Sequence, residues 1–240
     1  MSQTQPTVAF DQEHAAQYDQ RYAKLAAIRD VLHLLTSGVL ADLPVAARIL
    51  CVGAGTGAEL IYLAKKFPQW RFTAVEPSGP MLEVCRKKAE EAGIAARCVF
   101  HEGYLDSLPP AEPYDAATSL LVSQFILEPA ARTAFFRAIA ARLRPEGYVV
   151  SADLAVDLAT AQGRSLMDAW LRLKQETGLQ REQFDRLRES LRRDVAVLPP
   201  TQVSALIAAA GFSEPVQFVQ TVLVHGWFAQ RNRDIAPAER

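Results

Sequence analysis

The chain has 240 residues, half of them hydrophobic and 22% charged, which suits one well-filled core with an appended segment rather than two full domains. With 26 basic against 27 acidic residues the net charge is −1, so no global electrostatic pull toward nucleic acid is expected. Cys51, Cys85 and Cys98 are scattered without metal-ligand spacing, the start is polar, and no apolar stretch reaches membrane-spanning length, a pattern that predicts reduced thiols, no metal, no membrane contact and a cytoplasmic location.

In chain order, "EHAAQYDQRYAKLAAIRDVLHLLTSGVL" carries apolar residues at helical spacing, with Gly38 as its stop. "ARILCVGAG" reads as a short buried strand, "GAELIYLAKKF" as a helix, "WRFTAVEPS" as a second strand and "GPMLEVCRKKAEEAG" as a helix opened by Pro80. A third strand, "ARCVFHEGYL", precedes a proline turn. The fourth, "YDAATSLLVSQF", runs into a loop, "EPAARTAFFRAIAARLRPEG" is a helix, and "YVVSADLA" is a fifth strand. Such alternation predicts an α/β fold with a parallel sheet covered on both faces and every strand-to-helix loop on one edge. From Gly163 two long helical stretches follow with no strand between them, then "PPTQVSALIAAAGF" as a helix and "EPVQFVQTVLVHGWFAQR" as a closing hairpin or antiparallel edge.

Three glycines at every second position, Gly53, Gly55 and Gly57, stand where the first strand ends. Lacking side chains, they let backbone amides and a helix N-terminus approach a polar ligand closely. Their G-x-G-x-G spacing disfavours the G-x-G-x-x-G of dinucleotide-dependent dehydrogenases. Glu76 ends the second strand about 20 residues further on, where a carboxylate can accept both hydroxyls of a ribose. Met81, on the helix after Pro77 and Ser78, is placed either to rest against an adenine face or to pack in the core.

The segments "ILCVGAGTG", "VEPSGPML", "EGYLDSLP", "YDAATSLLVSQFI" and "LRPEGYVV" resemble, in order and spacing, the class I S-adenosylmethionine-dependent methyltransferases over about residues 10 to 155. The resemblance implies a Rossmann-like, seven-stranded, mostly parallel sheet with an antiparallel last strand. It implies S-adenosyl-L-methionine as cofactor, with Gly53, Ala54, Gly55 and Gly57 at its methionine and ribose end. Glu76 and Pro77 would lie at the ribose, Met81 at the adenine, Tyr104 and Leu105 along the adenine edge. Ser119, Leu120 and Leu121 would line the pocket where strand four ends. Residues 1–43 would form an N-terminal helical lid, 44–155 the cofactor-binding core, 156–197 an inserted helical cover, and 198–240 a C-terminal helix with closing strands. Two departures stand out: the family usually carries an acid where this chain has Cys51 and an Asp where it has Tyr104, with Glu102 or Asp106 as substitutes for the latter.

The second half, from "SQFILEPAAR" to the helix ending in "AAGF", also resembles the carboxy-S-adenosylmethionine synthases of tRNA wobble-uridine modification. That family holds the extra carboxylate with an arginine where this chain has Leu206, and leucine cannot pair a carboxylate. The expected activity is therefore methyl transfer to a small-molecule acceptor, with no nucleic acid as partner. The synthase and a non-catalytic cofactor-binding regulator are the alternatives.

Methyl transfer from a sulfonium requires alignment of a nucleophile with the methyl carbon, and a base only when the nucleophile starts protonated. The candidates are Tyr18 and Tyr22 on the N-terminal helix and His225 on the last β-segment. "REQFDRLRESLRRD" holds five arginines, but Glu182–Arg186 and Glu189–Arg193 are spaced to pair. Phe184, Leu187 and Leu191 make an apolar stripe that, with Leu166, Trp170 and Leu173, would cover the active site or form a homodimer seam at 163–195.

Overall fold

The computed structural model describes Gln20 and residues 23–233. Seven strands form one sheet: β1 (Arg48–Val52), β2 (Arg71–Glu76), β3 (Cys98–Glu102), β4 (Tyr114–Leu120), β5 (Leu143–Leu154), β6 (Val216–Thr221) and β7 (Val224–Gln230). Their order is β3-β2-β1-β4-β5-β7-β6. The first five run parallel, and β7 lies antiparallel between β5 and β6. Strand order reverses between β1 and β4, so the chain departs to opposite faces there and leaves a crevice at the carboxyl ends of these strands.

The α-helices lying wholly within residues 23–233 are α1 (Ala26–Val39), α2 (Ala58–Lys66), α3 (Gly79–Glu91), α4 (Pro129–Arg142), α5 (Ala161–Gln175), α6 (Phe184–Asp194) and α7 (Pro200–Ala209). Both faces of the central strands are buried, which is why β1 reads as an unbroken apolar run rather than an alternating one. Successive side chains of β1 part company. Leu50 and Val52 join Phe136 and Ile139 of α4, Val203 and Ile207 of α7, and Trp227, whereas Ile49 and Cys51 join Leu60 and Leu63 of α2 and Leu82 and Cys85 of α3.

Local chemistry starts the helices. Ser78 Oγ accepts the N–H of Met81 at the head of α3, and Thr160 Oγ1 accepts that of Gly163 at the head of α5. Pro129 and Pro200 open α4 and α7, where their missing N–H costs nothing. Arg97 closes α2 by donating to the carbonyls of Ala64, Phe67 and Trp70.

Two boundaries differ from the sequence reading. α1 runs through Gly38 to Val39. α4 stops at Arg142 instead of continuing to Gly147, because Leu143 already pairs with Tyr114 and the "RPEG" residues of β5 are taken up in an irregularity before Tyr148 pairs with Ala116. The closing β-segment is the antiparallel hairpin its alternation suggested, formed by β6 and β7. A short 3₁₀ turn, Ala23–Leu25, leads into α1.

A third cluster joins the helical insertion to the sheet edge. Met167, Trp170 and Leu171 of α5 and Leu191 of α6 bury against Leu154, Val156, Leu223 and Val224. Phe184 and Leu187 pack onto this cluster, so the apolar stripe of α6 covers the end of β5 within the chain. Among the described residues, no helix is long and apolar enough to cross a membrane.

Candidate functional site

The loop between β1 and α2 leaves the sheet at Gly53, whose N–H donates to the carbonyl of Val75, as does that of Ala54. The three glycines serve different needs. A Cβ on Gly53 would land inside Val122 Cγ2, and one on Gly57 inside Cys85 Sγ, so these two are small because the chain packs against them. A Cβ on Gly55 would meet only Met81 Cε, at 3.8 Å. Gly55 has a left-handed φ of 54° and faces open space, the property expected of a backbone reserved for a ligand.

Glu76 stands opposite, at the end of β2, and is 7% exposed. Its Oε2 accepts the N–H of Gly55 at 2.9 Å and its Oε1 that of Ser78 at 2.9 Å. Burial raises the carboxyl pKa, and the two backbone donors pull it back. A carboxylate offers about four lone-pair sites, so each oxygen keeps one for a further donor. Tyr104 is half-buried near enough to Glu76 that, after burial, this carboxylate is the next cause raising the phenol pKa. Gly55, Glu76, Met81 and Tyr104 are thus gathered at the carboxyl ends of β1 and β2, with Met81 itself buried. Pro77 is exposed beside it, and Leu105 turns its side chain into the core with Val75 and Leu108. Glu102 pairs with Glu76 in register, its carboxylate against Gly79 at the head of α3, whereas Asp106 is exposed.

Leu120 ends β4, the strand next to β1, Leu121 follows it, and Ser119 is fully buried behind them. Leu121 has φ 62°, a left-handed conformation that strains a branched residue, and its N–H donates to Ala152 at 2.6 Å. Strain of this kind persists only where surrounding structure enforces it.

One group escaped the sequence reading. Glu59, in the first turn of α2, places its carboxyl beneath the helix beside Thr118 and Cys51, themselves partners across β1 and β4. Among the described residues neither its Oε1 nor Thr118 Oγ1 has a hydrogen-bond partner. Burial raises its pKa to about 7. A carboxyl therefore stands at Cys51 after all, supplied by the helix instead of the strand. The sequence held one signal: Glu59 lies four residues before Leu63, on the buried face.

A second unforeseen feature lies behind β5. Arg132 and Asp153, both fully buried, form an ion pair at 3.1 Å. Ser123 Oγ donates to Asp153 at 2.8 Å and Gln124 N–H at 2.9 Å, while Arg132 also donates to Ser123 Oγ and to the Ala196 carbonyl. Burial pushes the Asp153 carboxyl up, against the pull of Arg132. This network fixes the loop after β4 to the end of β5.

His225 pairs with Asp153 across β5 and β7, is 3% exposed and stacks on Trp227, which belongs to the core beneath α7. Burial lowers its pKa, and neither ring nitrogen has a hydrogen-bond partner among the described residues. That placement is one of a core histidine. Tyr18 and Tyr22 lie outside the described residues. Leu206, on α7, is half-buried among neighbours that pack into the core.

The family described as "Methyltransferase domain" matches residues 49–147. No curated protein matches the chain in sequence. A structure from Nostoc punctiforme PCC 73102, provisionally described as an O-methyltransferase, aligns with a TM-score of 0.66 at 17% identity, over 91% of this chain and 61% of that one. An O-methyltransferase family protein from Burkholderia thailandensis aligns at 0.61 and 15%, over 95% and 65%. The mitomycin 7-O-methyltransferase MmcR aligns at 0.65 and 18%, over 93% and 61%. The fold is thus the α/β, Rossmann-like fold of the methyltransferases. The chain spans less than two thirds of the length of each of these three proteins.

Proposed function

We propose that the chain is an S-adenosylmethionine-dependent methyltransferase acting on a small-molecule acceptor. The observation that carries this reading is the joint placement of Glu76 and Gly55: a buried carboxylate with lone pairs to spare, facing a glycine whose missing side chain leaves open space. The residues fit an adenosyl cofactor, with Glu76 for the ribose hydroxyls, the amides of the glycine loop for its polar groups, and Met81 and Tyr104 for the flat base. The cofactor, when bound, supplies an electrophilic methyl on a sulfonium.

The chain's own part is alignment and exclusion of water. Leu120 and the strained Leu121 bound the crevice where an acceptor would meet that methyl, and the Arg132–Asp153 network holds the loop after Leu121 in place. Trp170 and Met167 of α5 belong to the apolar cover over the end of β5. With His225 buried against Trp227, the reading assigns it to packing and assigns no base among the described residues.

The alternative of a carboxylated-cofactor synthase is less well supported, since Leu206 cannot pair a carboxylate and α7 carries no basic residue. A non-catalytic regulator would not need the cover over the end of β5. Titration calorimetry of cofactor-stripped protein tests the reading. S-adenosylmethionine and its demethylated product should bind more tightly than the carboxylated form, and tighter binding of the carboxylated form would transfer the assignment to the synthase.

A further inference from the structure

A cavity of about 640 Å³ opens between α5, α6 and the segment 195–198, well within the size range of small-molecule pockets. It shares no lining residue with the space around Gly55, Glu76, Met81 and Tyr104. Its lining combines the apolar Leu127, Leu158, Met167, Leu191, Val195 and Val197 with Arg164, Arg188 and Arg192 and the single carboxylate of Asp168. The wall at 195–198 is firmly held, because Ala196 accepts from Arg132 and donates to the Gln124 carbonyl, and Leu198 pairs with Ala155.

The charges do not cancel. Arg188 is matched by Asp168 at 2.7 Å and Asp185 at 2.8 Å. Arg164 donates only to the carbonyls of Leu158 and Ala159, which leaves its charge standing. Arg192 is exposed and makes no ion pair among the described residues. Arg164 and Arg192 are thus the cavity's arginines without an ion pair among the described residues, and a guanidinium fork matches a carboxylate in shape. On α6, Arg193 pairs with Asp194 instead of the expected Glu189. A solvated helix face explains cations on a convex surface; these rim a concavity floored by side chains less than 10% exposed at Met167, Leu191 and Val195.

We propose that this cavity binds a small amphipathic anion, its apolar body against Met167 and Leu191 and its carboxylate between Arg164 and Arg192. The test is calorimetry with decanoate, its neutral amide and inorganic phosphate, using the full chain and no turnover. Decanoate should bind at least tenfold more tightly than the amide, and Arg192→Glu should weaken decanoate at least tenfold while leaving the amide unchanged. Met167→Trp, which adds bulk to the apolar part of the lining, should weaken both. Circular dichroism checks that each variant is folded, and S-adenosylhomocysteine affinity should be the same in Arg192→Glu as in the wild type, so the two readings fail separately. Equal affinity for acid and amide, undiminished decanoate binding in Arg192→Glu, no decanoate binding at millimolar concentration, or phosphate binding as tight as decanoate would each overturn the proposal.

Discussion

Glu76 and Gly55, 21 residues apart in the chain, are joined by a hydrogen bond of 2.9 Å that ties the glycine loop to the end of β2. The carboxylate thereby shapes the loop it faces, and its loss would act on both the site and its frame. Glu76→Ala should weaken S-adenosylmethionine binding by about 1.5–3 kcal/mol, the loss expected for charge-assisted hydrogen bonds. Calorimetry on a folded variant measures this, and unchanged affinity would remove Glu76 from the site.

The glycines should separate by phenotype. Gly53→Ala and Gly57→Ala force a Cβ into Val122 and Cys85 and should lower stability by about 1–3 kcal/mol, as overpacking does. A Cβ at Gly55 meets only Met81 Cε at 3.8 Å, so the main effect of Gly55→Val should be lost cofactor binding, with backbone strain of about 1–2 kcal/mol. Urea unfolding and calorimetry on the three variants resolve the two effects. Normal cofactor affinity in Gly55→Val would reduce the loop to a turn.

Glu59 should make stability depend on pH. Its folded pKa of about 7 lies above the ordinary carboxyl value of 4.5, so the neutral form favours folding, and its contribution is complete below pH 4.5 and lost as pH rises through 7. Glu59→Gln escapes this loss. Relative to its value at pH 4.5, the variant's advantage should grow by about 3 kcal/mol by pH 8. Denaturation of both proteins across this range is the measurement, and a constant difference would contradict the assignment.

The buried pair behind β5 should resist single substitution. Arg132→Met leaves Asp153 without its cation and should cost about 3–5 kcal/mol, whereas adding Asp153→Leu should recover part of the loss. A double-mutant cycle by chemical denaturation gives the coupling. Additive costs would show that the pair does not act as a unit.

The alternation of buried runs with glycine- and proline-bounded helices made the first five strands legible, because burial on both faces leaves a one-dimensional trace. Gly55 and Glu76 could be named as a pair for the same reason, since loop order along a parallel sheet follows chain order. Glu59 and Arg132 were not legible. Each is a polar residue on a helix whose partner lies on a distant strand, and Cys51–Thr118 or Asp153 becomes a neighbour only once the sheet is assembled. The distinct roles of Gly53 and Gly55 were hidden too, because the atoms that decide them belong to Val122, Cys85 and Met81.

The chain leaves the sheet at Ala155 and returns beside it at Leu198, where Val156 N–H donates to the Leu198 carbonyl at 2.9 Å. The two ends of the 156–197 excursion thus touch and point the same way, like the feet of a handle. A handle mounted so can be exchanged for another of different length with little added closure entropy, provided the newcomer restores the carbonyl that Ala196 offers Arg132 and an apolar lid for Leu154. Under the proposed function, a different acceptor would call for exchange of this one part, while the strand register and the crevice at Glu76 stay as they are.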